Sequence, residues 1–215
     1  MLSAADKAQF PPVLPGFESI NRYWDKFQQL PAAKILPGEY YVTRNNEVIA
    51  TVLGSCVSAC VRDPLLGIGG MNHFMLPLST EGKGWGGIDD VLSTATRYGN
   101  YAMEHMINDI LKIGGSKKRL EAKIFGGGII IENLSDVGKM NIAFVREYLD
   151  TENIPLASED VGDIYPRKVL YIPRTGKVLV KRIRHLHNDT VVRRESEYQK
   201  EISYAPVAGE IELFD

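Results

Sequence analysis

Long apolar runs are scarce in this chain of 215 residues, and none approaches the roughly 20 consecutive apolar residues of a membrane-spanning helix. Membrane insertion is therefore not expected. The opening MLSAADKAQF has neither a basic leader nor the apolar core of a secretory signal, so a cytoplasmic setting is expected. Charge of one sign is not in excess either. The 25 Lys and Arg stand against 27 Asp and Glu, a net charge of -2 that gives nucleic acid and anionic membranes little to hold. Only two cysteines occur, too few for a disulfide framework and in keeping with a reducing compartment. Repeats and low-complexity tracts are missing as well. What remains is ordinary for a globular protein: 44% hydrophobic and 24% charged residues, in a chain long enough to bury one core.

Glycine and proline divide the chain. Pro11-Pro12, Pro15-Gly16, Pro31 and Pro37-Gly38 interrupt residues 1–36, which read as an N-terminal arm. Within it a short helix is predicted over Asn21 to Leu30, with Tyr23, Trp24 and Phe27 on one side. A domain over 37–185 follows. Tyr40 to Val42, Glu47 to Thr51, Cys56 to Arg62 and Gly67 to Leu76 are short runs between turn residues, hence strands. Val91, Leu92, Ala95, Tyr98, Ala102, Met106 and Ile110 recur at three- and four-residue spacing and predict a helix over Asp89 to Ile113, stopped by Gly114-Gly115. Further strands are predicted at Leu120 to Phe125, Ile154 to Ala157, Lys168 to Ile172 and Lys177 to Ile183, and a second helix near Gly138 to Leu149. Hairpins outnumber crossovers, so the fold class is a mixed α/β (α+β) domain, a largely antiparallel sheet system covered by two main helices. Residues 186–215 read as a charged tail with few apolar anchors.

One pattern in this frame carries chemistry. Between Cys56 and His73 lies Asp63-Pro64-Leu65-Leu66-Gly67, a turn signal flanked by two apolar runs. If Pro64 and Leu65 centre the turn, Cys56 falls directly opposite His73, and opposed residues share a face with Cβ atoms roughly 4.5–5.5 Å apart. An imidazole at that range can take the proton of a thiol whose ordinary pKa is about 8.5, and so make a nucleophile. A register one residue away would put the two on opposite faces.

Gly54-Ser55 is a tight approach to Cys56 that leaves backbone N–H groups free to bind an oxyanion. Thr51 lies where its hydroxyl, or a neighbour's carbonyl, can hold the unreactive nitrogen of His73. The plain alternative is a thiol that only packs. Cys60 is read that way, because two cysteines and one histidine fall short of a tetrahedral metal set, and no metal is expected. His105, His185 and His187 have no ligand companions and read as structural or solvated. Gly126-Gly127-Gly128 lacks the Gly-Lys-Ser/Thr sequel of a phosphate loop. Gly126 and Gly127 read instead as a close backbone approach beside the site. The Gly82 to Gly87 loop holds Trp85, which could cover a cleft, or serves as a connector.

Thr51-Val-Leu-Gly-Ser-Cys56-Val, Gly70-Met-Asn-His73-Phe-Met-Leu-Pro77, Arg97-Tyr-Gly-Asn-Tyr-Ala102-Met, Lys123-Ile-Phe-Gly-Gly127, and Gly162-Asp163 with Arg167-Lys-Val together resemble the chemoreceptor glutamine deamidase family, CheD. The likeness runs in order from about Gly38 to Ile183. It implies an α-β-β layered sandwich, and hydrolysis of selected glutamine side chains on methyl-accepting chemotaxis receptors to glutamate. It also implies a CheC-type phosphatase as a partner of some members, and the roles of nucleophile, base and orienting residue for Cys56, His73 and Thr51. No cofactor is implied. Met140 stands where the family leads one to expect arginine. Two other classes stay open on the residues alone. A binding module would need the same cleft but not the thiol, and a cysteine peptidase or acyltransferase would turn the same pair on another carbonyl.

Overall fold

The structure is a computed structural model that describes residues 10–77, 88–130, 135–184 and 189–204. In chain order the elements are β1 (Asn21–Asp25), β2 (Leu30–Lys34), β3 (Tyr40–Thr43), β4 (Val48–Leu53), β5 (Val57–Asp63), β6 (Ile68–Asn72), α1 (Ile88–Lys112), β7 (Glu121–Gly126), α2 (Ser135–Thr151), β8 (Leu156–Val161), β9 (Arg167–Ile172), β10 (Lys177–Arg182) and α3 (Asp189–Tyr204). The strands form two sheets, β1-β2-β4-β9-β10 and β3-β6-β5-β7-β8. Pairing is parallel between β2 and β4 and between β7 and β8, and antiparallel elsewhere. Helices α1 and α2 pack on the second sheet, giving the layered mixed α+β fold expected.

Strand β5 shows why the layers hold. All of its residues but Arg62 are buried, because helices cover one of its faces and the first sheet covers the other. A strand covered on both sides reads as a continuous apolar run rather than an alternating one. The shared core takes Ile49, Leu53, Val169 and Tyr171 from the first sheet, Val57, Ala59 and Val61 from β5, and Met103, Met106 and Ile110 from α1.

Two expectations are corrected. The helix over Asn21 to Leu30 is instead the hairpin β1–β2, with Trp24 opposite Pro31 and Asp25 opposite Leu30. The Asp25 carboxylate accepts from the amides of Phe27 and Gln28, and Gln29 takes a left-handed φ of 53°, which closes a turn where a helix would run on. Phe27 lies exposed at the turn rather than on an apolar face. Strand β2 then pairs with β4, so segments on both sides of residue 36 share one sheet.

The second correction concerns the β5–β6 turn. Cys60 lies opposite Met71 and Asp63 opposite Ile68, which slides His73 two residues away from direct opposition to Cys56. The turn is longer than two residues because Asp63 accepts from the amides of Leu65 and Leu66, and Gly67, at φ 66°, returns its own amide to the Asp63 carbonyl. An even slip keeps both side chains on the same face. They meet on the diagonal.

Candidate active site

Cys56 closes the short loop Gly54-Ser55-Cys56 between β4 and β5. All three carbonyls of that loop have partners on one side: Gly127 N–H donates to Cys56 O at 2.7 Å, Gly128 N–H to Gly54 O at 2.7 Å, and Asn141 Nδ2 to Ser55 O at 2.9 Å. The loop amides have a different recipient, the side chain of Glu195 on α3. Gly54 N and Cys56 N donate to Oε1 at 2.7 and 3.3 Å, while Ser55 N and Ser55 Oγ donate to Oε2 at 2.7 and 2.6 Å. Four donors thus converge on one carboxylate. Gly126 and Gly127 sit behind the loop as backbone supports. At Gly126, with φ 103°, a Cβ would stand 2.2 Å from the Cys56 carbonyl, so no larger residue allows this approach.

His73 follows β6, its backbone pinned by Glu39 O at 2.9 Å and Gly38 N at 2.8 Å. Its ring Nδ1 lies 2.8 Å from Thr51 Oγ1, and that hydroxyl also bonds the Ile35 carbonyl at 2.9 Å. A carbonyl can only accept, so the single hydroxyl proton of Thr51 goes to Ile35, and Thr51 must accept from Nδ1–H. The tautomer follows. Nε2 carries the lone pair, and it is buried with no hydrogen-bond partner among the described residues. The Cys56 sulfur, a ring nitrogen of His73 and a carboxylate oxygen of Glu195 all lie within 4.8 Å of one another.

Burial sets the resting charges. It lowers the His73 pKa to about 3. Burial first, and then the Glu195 charge, push the Cys56 thiol well above its ordinary value. Burial thus favours the neutral form of both the thiol and the imidazole. Thiolate, imidazole and carboxylate are also metal-ligand types, but both Glu195 oxygens already accept two hydrogen bonds each. The set therefore offers two ready ligands, short of a metal centre.

Other candidates fall away from this cluster. Cys60 is in the core, its thiol pushed up by burial. The His105 ring lies against that of Tyr101, centroids 3.9 Å apart and planes tilted by 43°. His185, His187 and the Gly82 to Gly87 loop with Trp85 lie outside the described residues. Two polar residues escaped the sequence reading. Asn141 is buried beside the half-exposed Met140, and also accepts from Leu76 N at 2.8 Å, tying α2 both to the Cys56 loop and to the segment after His73. Its signal was a polar member in the stripe Val137, Asn141, Val145. Glu195 broke the stripe of α3 in the same way, within a tail that looked only charged.

The family described as CheD chemotactic sensory transduction matches residues 75–182, beginning just past His73. A protein of Hahella chejuensis is 57% identical over 215 residues, covering all of both chains. This chain belongs to the CheD family. A Halorhodospira halophila protein is 56% identical over 95% of this chain and 94% of its own, and one from Methylobacillus flagellatus is 54% identical over 90% and 95%. All three carry the name "Probable chemoreceptor glutamine deamidase CheD". Full-length likeness to the CheD protein of Hahella takes in the Cys56 loop, His73 and α3 alike.

Proposed function

We propose that this protein hydrolyses glutamine side chains on the cytoplasmic region of methyl-accepting chemotaxis receptors to glutamate, acting in the cytoplasm. The observation that carries the reading is the Thr51–His73 hydrogen bond, which leaves Nε2 buried and unpartnered among the described residues as the free base of a ring that has a nitrogen within 4.8 Å of the Cys56 sulfur. His73 takes the thiol proton as sulfur attacks the amide carbon, and the loop amides of Gly54, Ser55 and Cys56 hold the developing oxyanion. The imidazolium returns the proton to nitrogen, the C–N bond breaks, and ammonia leaves a thioester. Water then gives a proton to His73 and attacks; the C–S bond breaks, the thiol is restored, and glutamate is released. Charge on the oxyanion meets fixed donors, each worth about 2.7–4 kcal/mol in comparable sites. The cycle calls for no metal or organic cofactor. A CheC-type phosphatase enters the proposal as a second partner on the family resemblance alone.

Mass spectrometry of a receptor cytoplasmic fragment tests this. The wild-type protein should convert glutamine to glutamate. Cys56→Ser, folded by thermal melting, should lose on the order of 10³-fold or more, since a hydroxyl is a far weaker acid than a thiol. Peptide cleavage would favour a peptidase, and tight binding without chemistry a binding module.

A further inference from the structure

Glu195 is 1% exposed and opens the buried stripe of α3, with Tyr198, Gln199 and Ile202 at the third, fourth and seventh following positions. A helix that docks only to cover apolar surface places an apolar side chain there, because a buried carboxylate is heavily penalised unless its oxygens are satisfied. Here they are satisfied by the Gly54, Ser55 and Cys56 amides and the Ser55 hydroxyl. Three of those four are the donors that the proposed chemistry aims at its oxyanion. The group they hold, a glutamate carboxylate carried on a helix, is the chemical product of that chemistry.

The surrounding shape agrees. A Cβ on Gly54 would stand 2.1 Å from Ile130 Cδ1 and 2.8 Å from Glu195 Oε2, so glycine at position 54 lets both side chains close on the loop. One turn further along, the Tyr198 hydroxyl bonds that of Tyr98 on α1, and its ring borders Gly38. Val191, Arg194 and Glu195 wall a small cavity with Ile35, Thr51 and His73, on the route to the imidazole. An acid serving a Cys–His–acid triad would hold the outer nitrogen of the imidazole, and Thr51 already does so.

We propose that α3 is a built-in product mimic: it occupies the groove that accepts a substrate helix, seats Glu195 where the new glutamate would lie, and must leave before a receptor can enter. This rests on the deamidase reading above. It assigns the groove a helical occupant that presents its target residue at the head of a buried stripe, followed as Glu195 is by Tyr198 and Ile202. It also means that an amide placed at position 195 is a substrate in cis. Cys56 sulfur would displace ammonia from that amide, with His73 supplying the proton, and water would cleave the thioester to restore the carboxylate.

Three readings on the full chain test the proposal. In the first, intact mass of Glu195→Gln is followed with time, with Glu195→Gln/Cys56→Ala as control. The single variant should revert to the wild-type mass while the double variant keeps its amide. In the second, Glu195→Ala should deamidate a receptor fragment at least 10-fold faster than wild type in kcat/KM. In the third, iodoacetamide should alkylate Cys56 at least 10-fold faster in Glu195→Ala, with Cys60 as an unchanged internal standard. Melting curves establish that both single variants are folded.

A receptor fragment turned over equally by wild type and Glu195→Ala, or more slowly by the variant, overturns the proposal and leaves the deamidase reading standing. So does a stable amide in Glu195→Gln when wild type modifies the receptor. If no variant modifies a receptor or itself, the deamidase reading fails and the product mimicry fails with it; faster alkylation of Glu195→Ala would then identify a plug without mimicry.

Discussion

Thr51 illustrates how much one hydroxyl can decide. Its proton goes to Ile35, so it can only accept from His73, and the ring is left with one usable lone pair. Thr51→Val keeps the shape and removes the acceptor, so the buried ring loses its preferred tautomer and orientation. The expected outcome is a fall in kcat of about 10-fold or more with KM little changed, and recovery in Thr51→Ser, which restores the hydroxyl. Single-turnover deamidation on the three proteins measures it. A purely structural role for Thr51 would lower melting temperature without separating kcat from KM. Cys56 and His73 were legible in the sequence as a candidate pair because each stands in a distinctive short motif, and the structure brings them together. The Thr51 bond was legible as a position, but its direction of donation depends on Ile35, which no motif marks.

At the scale of elements, the β5–β6 turn is tied to the connection after α1. Asp63, fully buried, accepts from Leu65, Leu66 and Ser116 amides and from the Arg119 guanidinium, at 2.6 Å to Nη2. The Arg119 hydrogen bond, more than the amides, holds the Asp63 pKa below its ordinary 3.8. A carboxylate whose folded pKa is depressed stabilises the fold fully above its unfolded value, and that contribution is lost as pH falls through the folded value. Arg119→Ala should therefore lower the melting temperature at pH 7, and the gap from wild type should close as the pH drops below 3.8. Thermal melts across an acid series check both halves. The two-residue slip in this hairpin was hidden from the sequence because Asp63 side-chain bonding, not the Pro64-Leu65 pair, sets the loop length. The side of the sheet was still legible, since an even slip preserves it.

For the molecule as a whole, Arg22 joins the first hairpin to the rest. It donates at 2.7 Å to Glu47, which is fully buried and also accepts from the Tyr41 and Thr43 hydroxyls. Removing the cation leaves a buried carboxylate short of its charged partner, a loss of roughly 1–3 kcal/mol. Arg22→Ala should lower the stability of the entire domain in one transition, because β2 hydrogen-bonds directly to β4. Hydrogen exchange should show β4 and β9 losing protection together with β1 and β2. Loss confined to residues before 37 would mark the arm as an independent unit.

The sequence by itself determined most strands, both long helices on the second sheet, the mixed α+β class, the family, and the shared face of Cys56 and His73. These rest on periods of two and 3.6 residues and on short motifs, which operate over a few neighbours. The β1–β2 hairpin turned on the local side-chain bonding of Asp25, whereas tertiary structure alone decided the place of Asn141 and above all the seat of Glu195, about 140 residues from the amides it meets. Such pairings carry no local period. A carboxylate in a charged tail looks solvated until the helix that bears it is laid against a hydroxyl and three amides of a loop whose carbonyls are already bound.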